Sequence, residues 1–175
     1  DEMDGQKTLY NEIYLAVINE VSKKKNISLV IKPHPLEVSM QLVQHNKMAS
    51  KHENIFVAKA SDNTSELIVA SDALISFGST ATLDALVLGK PVICPKFEQF
   101  MLNEIFSTSG AVSMPTNVVE LSEIMDVIDS GDMSPILHAC AEGRIAFLRR
   151  LSNLDGSASK VIISNIYAAA RDFNW

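Results

Sequence analysis

Residues 71–95, SDALISFGSTATLDALVLGKPVICP, contain two short apolar runs on either side of one helical pattern. The runs cover residues 73–76 and 91–94, each of strand length, and residues 81–88 have the spacing of a helix that Gly89 ends. Short apolar strands that alternate with helices are typical of parallel strands that are buried on both faces. This stretch therefore predicts an α/β protein.

The same alternation continues on both sides of this stretch. Further strands are predicted at residues 28–31, 55–57 and 111–114. Further helices are predicted at residues 8–25, 36–51, 65–70, 100–107, 117–128, 134–151 and 157–173, and the lysines 23–25 are expected to close the first of them. The predicted fold is an open, Rossmann-like parallel sheet with helices on both faces, in one domain over residues 1–175.

The order of the elements is unusual at the N-terminus. Such a domain usually begins with a strand, whereas residues 1–7 are polar and a helix follows them. We expect the sequence to be cut from a longer protein, just after a first strand.

Composition limits the function. The chain has 175 residues and a formal net charge of -6, with 47% hydrophobic and 21% charged residues, as in a globular domain. Its acidic balance argues against nucleic acid as a partner. No apolar run approaches the ~20 residues of a membrane span, and there is no signal peptide, so a cytoplasmic location is expected. Cys94 and Cys140 are predicted to be reduced core thiols.

The segment Lys32-Pro33-His34-Pro35 follows a predicted strand directly. Ligands of open parallel sheets bind beyond the carboxyl ends of the strands. Two prolines stiffen the backbone around one imidazole, which can donate to a phosphate or act as an acid or base. The alternative is a stiff surface turn whose histidine is merely exposed.

A second candidate lies between the strand and the helix of residues 71–95. Small hydroxyl residues and a glycine at a helix start let backbone N–H groups approach an anion. Capping alone would need a single hydroxyl. An acid one turn further on can reach a ribose hydroxyl, or only stabilise the helix dipole. The candidate residues are Ser76, Gly78, Ser79, Thr80 and Asp84.

Other chemistries find less support. The segment is neither a Walker loop nor a GxGxxG motif, and no GxSxG or HExxH pattern occurs. His45, His52 and His138 have no partner at ligand spacing, so they are interpreted as solvated or core-edge residues and no metal site is assigned.

Both segments together resemble the GT-B nucleotide-sugar enzymes. The KPHP segment is similar to their His-Pro motif, and residues 71–95 are similar to their strand, hydroxyl-rich turn and acid-bearing helix. Bacterial surface-polysaccharide transferases look closest: capsule synthesis proteins, CDP-glycerol glycerophosphotransferases and some sialyltransferases. Residues 155–159, DGSAS, are similar to a DGxAS element near the end of such chains. The resemblance covers residues 29–166.

The resemblance implies the C-terminal, donor-binding half of a GT-B protein. His34 would be the catalytic histidine that contacts the donor nucleotide and its phosphates, Ser79 and Thr80 would hold phosphate, and Ser76 and Gly78 would shape the turn. Asp84 would contact ribose, although several relatives carry the longer Glu there. Transfer in this fold needs no metal or other cofactor, because helix dipoles and cationic groups stabilise the leaving group.

The partners implied are a nucleotide-sugar or CDP-polyol donor and a glycan or lipid-linked acceptor. The acceptor and the general base would come with an N-terminal domain, so these residues alone would bind nucleotide and catalyse nothing. Peripheral attachment at the inner membrane is compatible with this role. Two alternatives stay open: a non-hydrolysing UDP-sugar 2-epimerase, and a catalytically silent scaffold with this fold.

Overall fold

A computed structural model of the chain describes residues 2–37, 39–97 and 104–151, together with residues 157, 160, 163 and 164. Helices and short strands alternate along it, as the sequence predicts. The elements are α1 (Glu2–Ser22), β1 (Leu29–Ile31), α2 (Ser39–Ala49), β2 (Ile55–Val57), α3 (Thr64–Ala70), β3 (Leu74–Ile75), α4 (Ala81–Val87), β4 (Val92–Ile93), α5 (Glu104–Ser107), α6 (Val118–Asp129) and α7 (Ser134–Leu151).

The strands form two parallel pairs. Strand β1 pairs with β2, with Val30 opposite Phe56, and β3 pairs with β4, with Ile75 opposite Ile93. An isolated parallel bridge joins Ile93 to Ser113 and extends the second pair. The predicted α/β fold with parallel strands is thus confirmed, whereas the predicted strand at residues 111–114 is reduced to this one bridge.

Two apolar clusters form the core, one for each strand pair. The first is centred on α4, β4 and α7, where Leu86, Val92 and Phe147 are buried. The second joins α1, α6 and the β1–β2 pair, where Val21 and Leu121 are fully buried. Each parallel pair therefore packs against helices, but Val30 of β1 and Phe56 of β2 stay about half exposed, so the predicted burial on both faces does not hold for the β1–β2 pair.

The ends of the elements differ from prediction mainly at α1. This helix begins at Glu2 rather than at residue 8, since the polar residues before Thr8 include good helix formers such as Glu2 and Lys7. It ends at Ser22, three residues before the predicted end, and the lysines follow it directly, where the N–H groups of Lys23 and Lys24 donate to the carbonyls of Glu20 and Val21 in its last turn. They lie in the turn beyond it, where Lys24 pairs with Asp126.

Two predicted elements lie wholly or partly outside the described residues. The helix at residues 157–173 and the DGSAS element at 155–159 belong to this group, apart from isolated positions. The helix predicted at residues 100–107 is described only from Glu104 onward. No helix in the described part of the chain is long and apolar enough to span a membrane.

One close backbone approach locks α7 against the loop after α5. Gly143 in α7 faces Gly110, and a Cβ at position 143 would lie 2.3 Å from the carbonyl carbon and oxygen of Gly110. Real Cβ atoms do not approach backbone atoms so closely. The absence of a side chain at Gly143 therefore sets the distance between α7 and this loop.

This contact reverses the usual effect of alanine in a helix. Alanine normally stabilises a helix by roughly 0.5–1 kcal/mol relative to glycine. We expect Gly143→Ala instead to lower the free energy of unfolding by about 1–3 kcal/mol, because backbone must shift to relieve the overlap. Urea unfolding measures it, with the exposed Glu142→Ala on the same helix as a control that changes stability by less than about 0.5 kcal/mol. A stabilised Gly143→Ala protein would contradict the contact.

Candidate functional site

A cavity of about 490 Å³ lies between α1, β1 and β3. It extends past the carboxyl end of each strand, to residues 32–35 and 76–79. We call the polar residues there the polar edge: Lys32, His34, Glu37, Ser76, Gly78 and Ser79. We call the aliphatic residues of the helix and strands the apolar wall: Val17, Ile18, Leu29, Val30, Ile31, Leu74 and Ile75.

The His34 imidazole is held by its own loop. Its Nδ1 accepts a hydrogen bond from the Leu36 N–H at 3.1 Å, so in the neutral ring the proton is on Nε2. The backbone closes the same turn, because Glu37 N–H donates to the His34 carbonyl at 2.9 Å. The side chain is exposed and lines the cavity. Nε2–H is therefore a donor that an acceptor in the cavity can use.

The Glu37 carboxylate ties this loop to the helices behind it. One oxygen accepts the backbone N–H of His34 at 3.0 Å, and the other accepts from His45 Nε2 at 2.8 Å. His45 Nδ1 in turn bonds the Tyr14 hydroxyl at 2.6 Å. With 12% and 22% of the His45 and Glu37 side chains exposed, the chain of bonds is mostly shielded from water. It positions His34 from α1 and α2.

Lys32 brings a positive charge to the polar edge. Its ammonium donates to the carbonyl of Pro33 at 2.8 Å and to that of Ala60 at 3.0 Å. These bonds fix the side chain across the loop that follows β2. Because carbonyls carry no net charge, the ammonium keeps its positive field at the cavity.

The turn from Ser76 to Thr82 satisfies several of its own polar groups. The buried Ser76 hydroxyl accepts from Ser79 N–H at 3.2 Å and from the Thr82 hydroxyl at 2.9 Å. The Ser79 hydroxyl accepts from Ala81 N–H at 3.2 Å. Gly78 has φ of 88°, a left-handed conformation that only glycine adopts readily. Part of the hydroxyl pattern therefore builds the turn itself.

Cys94 supports this turn from below. The buried thiol receives a hydrogen bond from the Gly78 N–H, and burial raises the pKa of Cys94 to about 12 despite that bond. Burial also raises the pKa of Cys140, and both cysteines are free thiols, but only Cys94 is a core residue as predicted, because Cys140 is partly exposed. At position 94 a neutral sulfur accepts a backbone donor beside the cavity.

Thr80 and Asp84 are not among the residues that line the cavity. Thr80 is the exposed N-cap residue of α4, and its N–H and hydroxyl have no hydrogen-bond partner within the described part of the chain. The Asp84 carboxylate accepts from the Ser65 hydroxyl at 3.2 Å, across to α3. Their roles in phosphate and ribose binding stay predictions.

The structure thus brings together four of the six predicted site residues: His34, Ser76, Gly78 and Ser79. It adds four residues to which the sequence assigned no role in the site: Lys32, Glu37, His45 and Tyr14. His45 was interpreted as solvated or core-edge, whereas it lies in a bonded chain that reaches the His34 loop. Glu37 could have been suspected, since it follows His34 by three residues. Tyr14 has no such local signal, since it comes from α1, 20 positions before His34.

No group of three or more histidines, cysteines or acids that could hold a metal occurs among the described residues. The polar edge instead offers N–H and ammonium donors beside a single carboxylate that is already bonded. Donors of this kind are suited to an anion rather than to a cation.

Parallel strands with a polar cavity at their carboxyl ends place this chain among the α/β proteins, whose ligands usually bind at that edge. The profile of one protein family matches residues 4–167, nearly the whole chain. The chain belongs to this family, which is described as CDP-glycerol:poly(glycerophosphate) glycerophosphotransferase. Its class is thereby a transferase of the glycosyltransferase or glycerophosphotransferase type, with a function in polymer biosynthesis. No curated protein and no solved structure matches the chain.

The Glu37–His45 contact can be tested through stability. We expect Glu37→Ala to lower the free energy of unfolding by about 1–3 kcal/mol, because two donors lose their acceptor in a shielded place. A double-mutant cycle with His45→Ala should give a coupling of about 0.5–3 kcal/mol. The exposed Glu53→Ala is the matched control. Additive effects of Glu37→Ala and His45→Ala would contradict the contact.

The raised pKa of Cys94 predicts that its thiol is unreactive in the folded chain. With a pKa of about 12, roughly one Cys94 in ten thousand is thiolate at pH 8, and burial blocks access as well. We expect Ellman's reagent to leave Cys94 unmodified in the folded chain and to modify both cysteines in urea. The Cys94→Ser variant should leave the reaction of the folded chain unchanged. If both cysteines of the folded chain reacted at the rate of a free thiol, the prediction that Cys94 is buried and protonated would be wrong.

Proposed function

We propose that this chain binds the nucleotide-linked donor of a polymer-forming transferase, a CDP-polyol of the CDP-glycerol type. The observation that carries the proposal is the placement of His34 and the Gly78–Ser79 turn, after two different strands, on one cavity. Membership of the family makes the CDP-polyol a better candidate than a nucleotide sugar.

His34 would donate Nε2–H to a phosphate oxygen of the donor. A hydrogen bond to an ionised oxygen is about twice as strong as one between neutral groups. The bond from Leu36 already occupies Nδ1, and Glu37 holds the backbone, so little freedom remains to be lost on binding. Lys32 would add positive potential without leaving its carbonyl partners.

The reaction would transfer glycerol phosphate from CDP-glycerol to the end of a poly(glycerophosphate) chain. A terminal hydroxyl oxygen forms a bond to the phosphorus that carries glycerol, the bond to the bridging oxygen breaks, and CMP leaves with the electron pair. The hydroxyl proton passes to a base. Donors at the polar edge would stabilise the charge that develops on the leaving phosphate, which is the largest contribution in reactions of this kind.

The remaining roles extend this proposal. The Thr80 N–H and hydroxyl, which have no hydrogen-bond partner among the described residues, would bind phosphate at the outer side of the turn, and Asp84 would reach ribose if its bond to Ser65 opens. The acceptor and the general base would come with the N-terminal half of a GT-B protein. The working enzyme would act at the cytoplasmic side of the inner membrane, where a nucleotide-linked donor is available.

Calorimetry with CMP, CDP, UDP and CDP-glycerol tests the donor site. We expect the cytidine nucleotides to bind and His34→Ala to weaken binding about 10- to 100-fold, the equivalent of one hydrogen bond to a charged group. His138→Ala, at an exposed position on α7, is the control and should bind normally.

Two outcomes would count against the proposal. The first is no binding tighter than millimolar for any of the four ligands, and the second is undiminished binding by His34→Ala. Analysis of the full-length protein's products separates the alternatives, since an epimerase converts a UDP-sugar without releasing CMP and a scaffold releases nothing.

A further inference from the structure

Strands β1 and β3 lie on the same cavity without pairing with each other. Among the described strands β1 pairs only with β2 and β3 only with β4, and no residue of β2 or β4 lines the cavity. Within the described residues the sheet is therefore divided into two halves, and the apolar wall lies where they face one another.

The hydrogen bonds show which backbone groups point into this gap. In β1, Leu29 N–H donates to Asn54 and the Ile31 carbonyl accepts from Ala58, both on the β2 side. Backbone groups of successive strand residues point to opposite sides, so the N–H and C=O of Val30 point to the gap. No strand among the described residues pairs with them.

Strand β3 presents its backbone to the gap in the same way. Leu74 N–H donates to Pro91, and Ser76 N–H donates to Ile93, both on the β4 side. The N–H and C=O of Ile75, between them, point away from β4 and have no strand partner in the described part of the chain. Strands β1 and β3 thus each turn an unpaired edge toward the same apolar cavity. A strand inserted between them would form backbone hydrogen bonds with both.

We propose that this gap receives one β-strand, parallel to β1, supplied by the segment of a longer polypeptide that leads into α1. A strand–helix–strand unit in one sheet is right-handed in nearly all proteins and places its two strands side by side. The helix that leads into β1 is α1, and Val17 and Ile18 of α1 line the gap. The strand before α1 therefore belongs next to β1.

The resulting strand order agrees with the commonest nucleotide-binding sheet. With the proposed strand as the first in the chain, the order across the sheet is β2, β1, the new strand, β3, β4 and the Ser113 bridge. Numbered along the chain, this is 3-2-1-4-5-6, the order of a dinucleotide-binding fold.

The inserted strand has predictable properties. Because it would be covered on both faces, its residues should form a continuous apolar run rather than an alternating one. Its carboxyl end would arrive at the polar edge, between His34 and Gly78. The loop from it to α1 would then complete the polar edge, which the described residues leave open on that side.

Amide hydrogen exchange tests the proposal, with alternate residues as internal controls. The chain of residues 1–175 is compared with the same chain extended by the residues encoded upstream of Asp1. We expect the Val30 and Ile75 amides to exchange about 100-fold more slowly in the extended chain. The Leu29 and Leu74 amides, bonded to the outer strands, should be protected in both.

A matched variant of the extended chain carries proline in the middle of the added strand. It should lose protection at Val30 and Ile75 and keep it at Leu29 and Leu74, because proline cannot donate to the ladder. Equal protection of all four amides in the unextended chain would overturn the proposal, as it would mean that β1 and β3 pair directly.

If the unextended chain does not fold, NMR of the extended chain alone tests whether the added strand lies between β1 and β3. Nuclear Overhauser contacts from the added strand to both Val30 and Ile75 support insertion. Contacts to only one of them, or to neither, overturn it. These outcomes do not depend on nucleotide binding, which is measured separately.

Discussion

Parallel pairing of short strands is the interaction on which the rest of this protein depends. A parallel strand can satisfy its backbone only through a neighbour, and its carboxyl end carries the next loop to the same edge as its neighbour's loop. The loop after β1 holds His34, and the turn after β3 holds Gly78 and Ser79. These residues are 44 or more positions apart in the sequence and share one cavity only because of the strands beneath them.

Most of the fold could be predicted from local patterns because its elements are delimited by local chemistry. Asn117 caps α6 through a bond to Glu120 N–H, and Gly89 follows α4 with φ of 75°, both of which are readable in the sequence. The failures were also local. The start of α1 carries no cap signal, and the strand at residues 111–114 shrinks to the Ser113 bridge because a short apolar run does not fix its own pairing length.

The same distinction applies to the site: motifs of consecutive residues could be predicted, and contacts between distant residues could not. His34 and the 76–79 turn could be predicted, because a stiff His-Pro loop and a hydroxyl-rich turn are motifs of consecutive residues. The bonds from Glu37 to His45 and from His45 to Tyr14 could not, because they join residues of different helices. The pattern of a single sequence does not show which residues of different helices contact each other. It also could not distinguish Ser76, whose hydroxyl accepts a hydrogen bond within the turn, from Thr80, whose side chain does not cap α4.

An acidic chain can still offer an anion site, because distance decides which charges matter. The Debye length at physiological salt is about 8 Å, so most exposed carboxylates of a chain with net charge -6 are screened from the polar edge. The carboxylate of the polar edge, Glu37, accepts a hydrogen bond from the His34 N–H on one oxygen and from His45 on the other. Beside it lie the Lys32 ammonium and the His34 Nε2–H. Local donors therefore outweigh the overall charge, and a strand inserted between β1 and β3 would bring further backbone N–H groups of its loop to the same place.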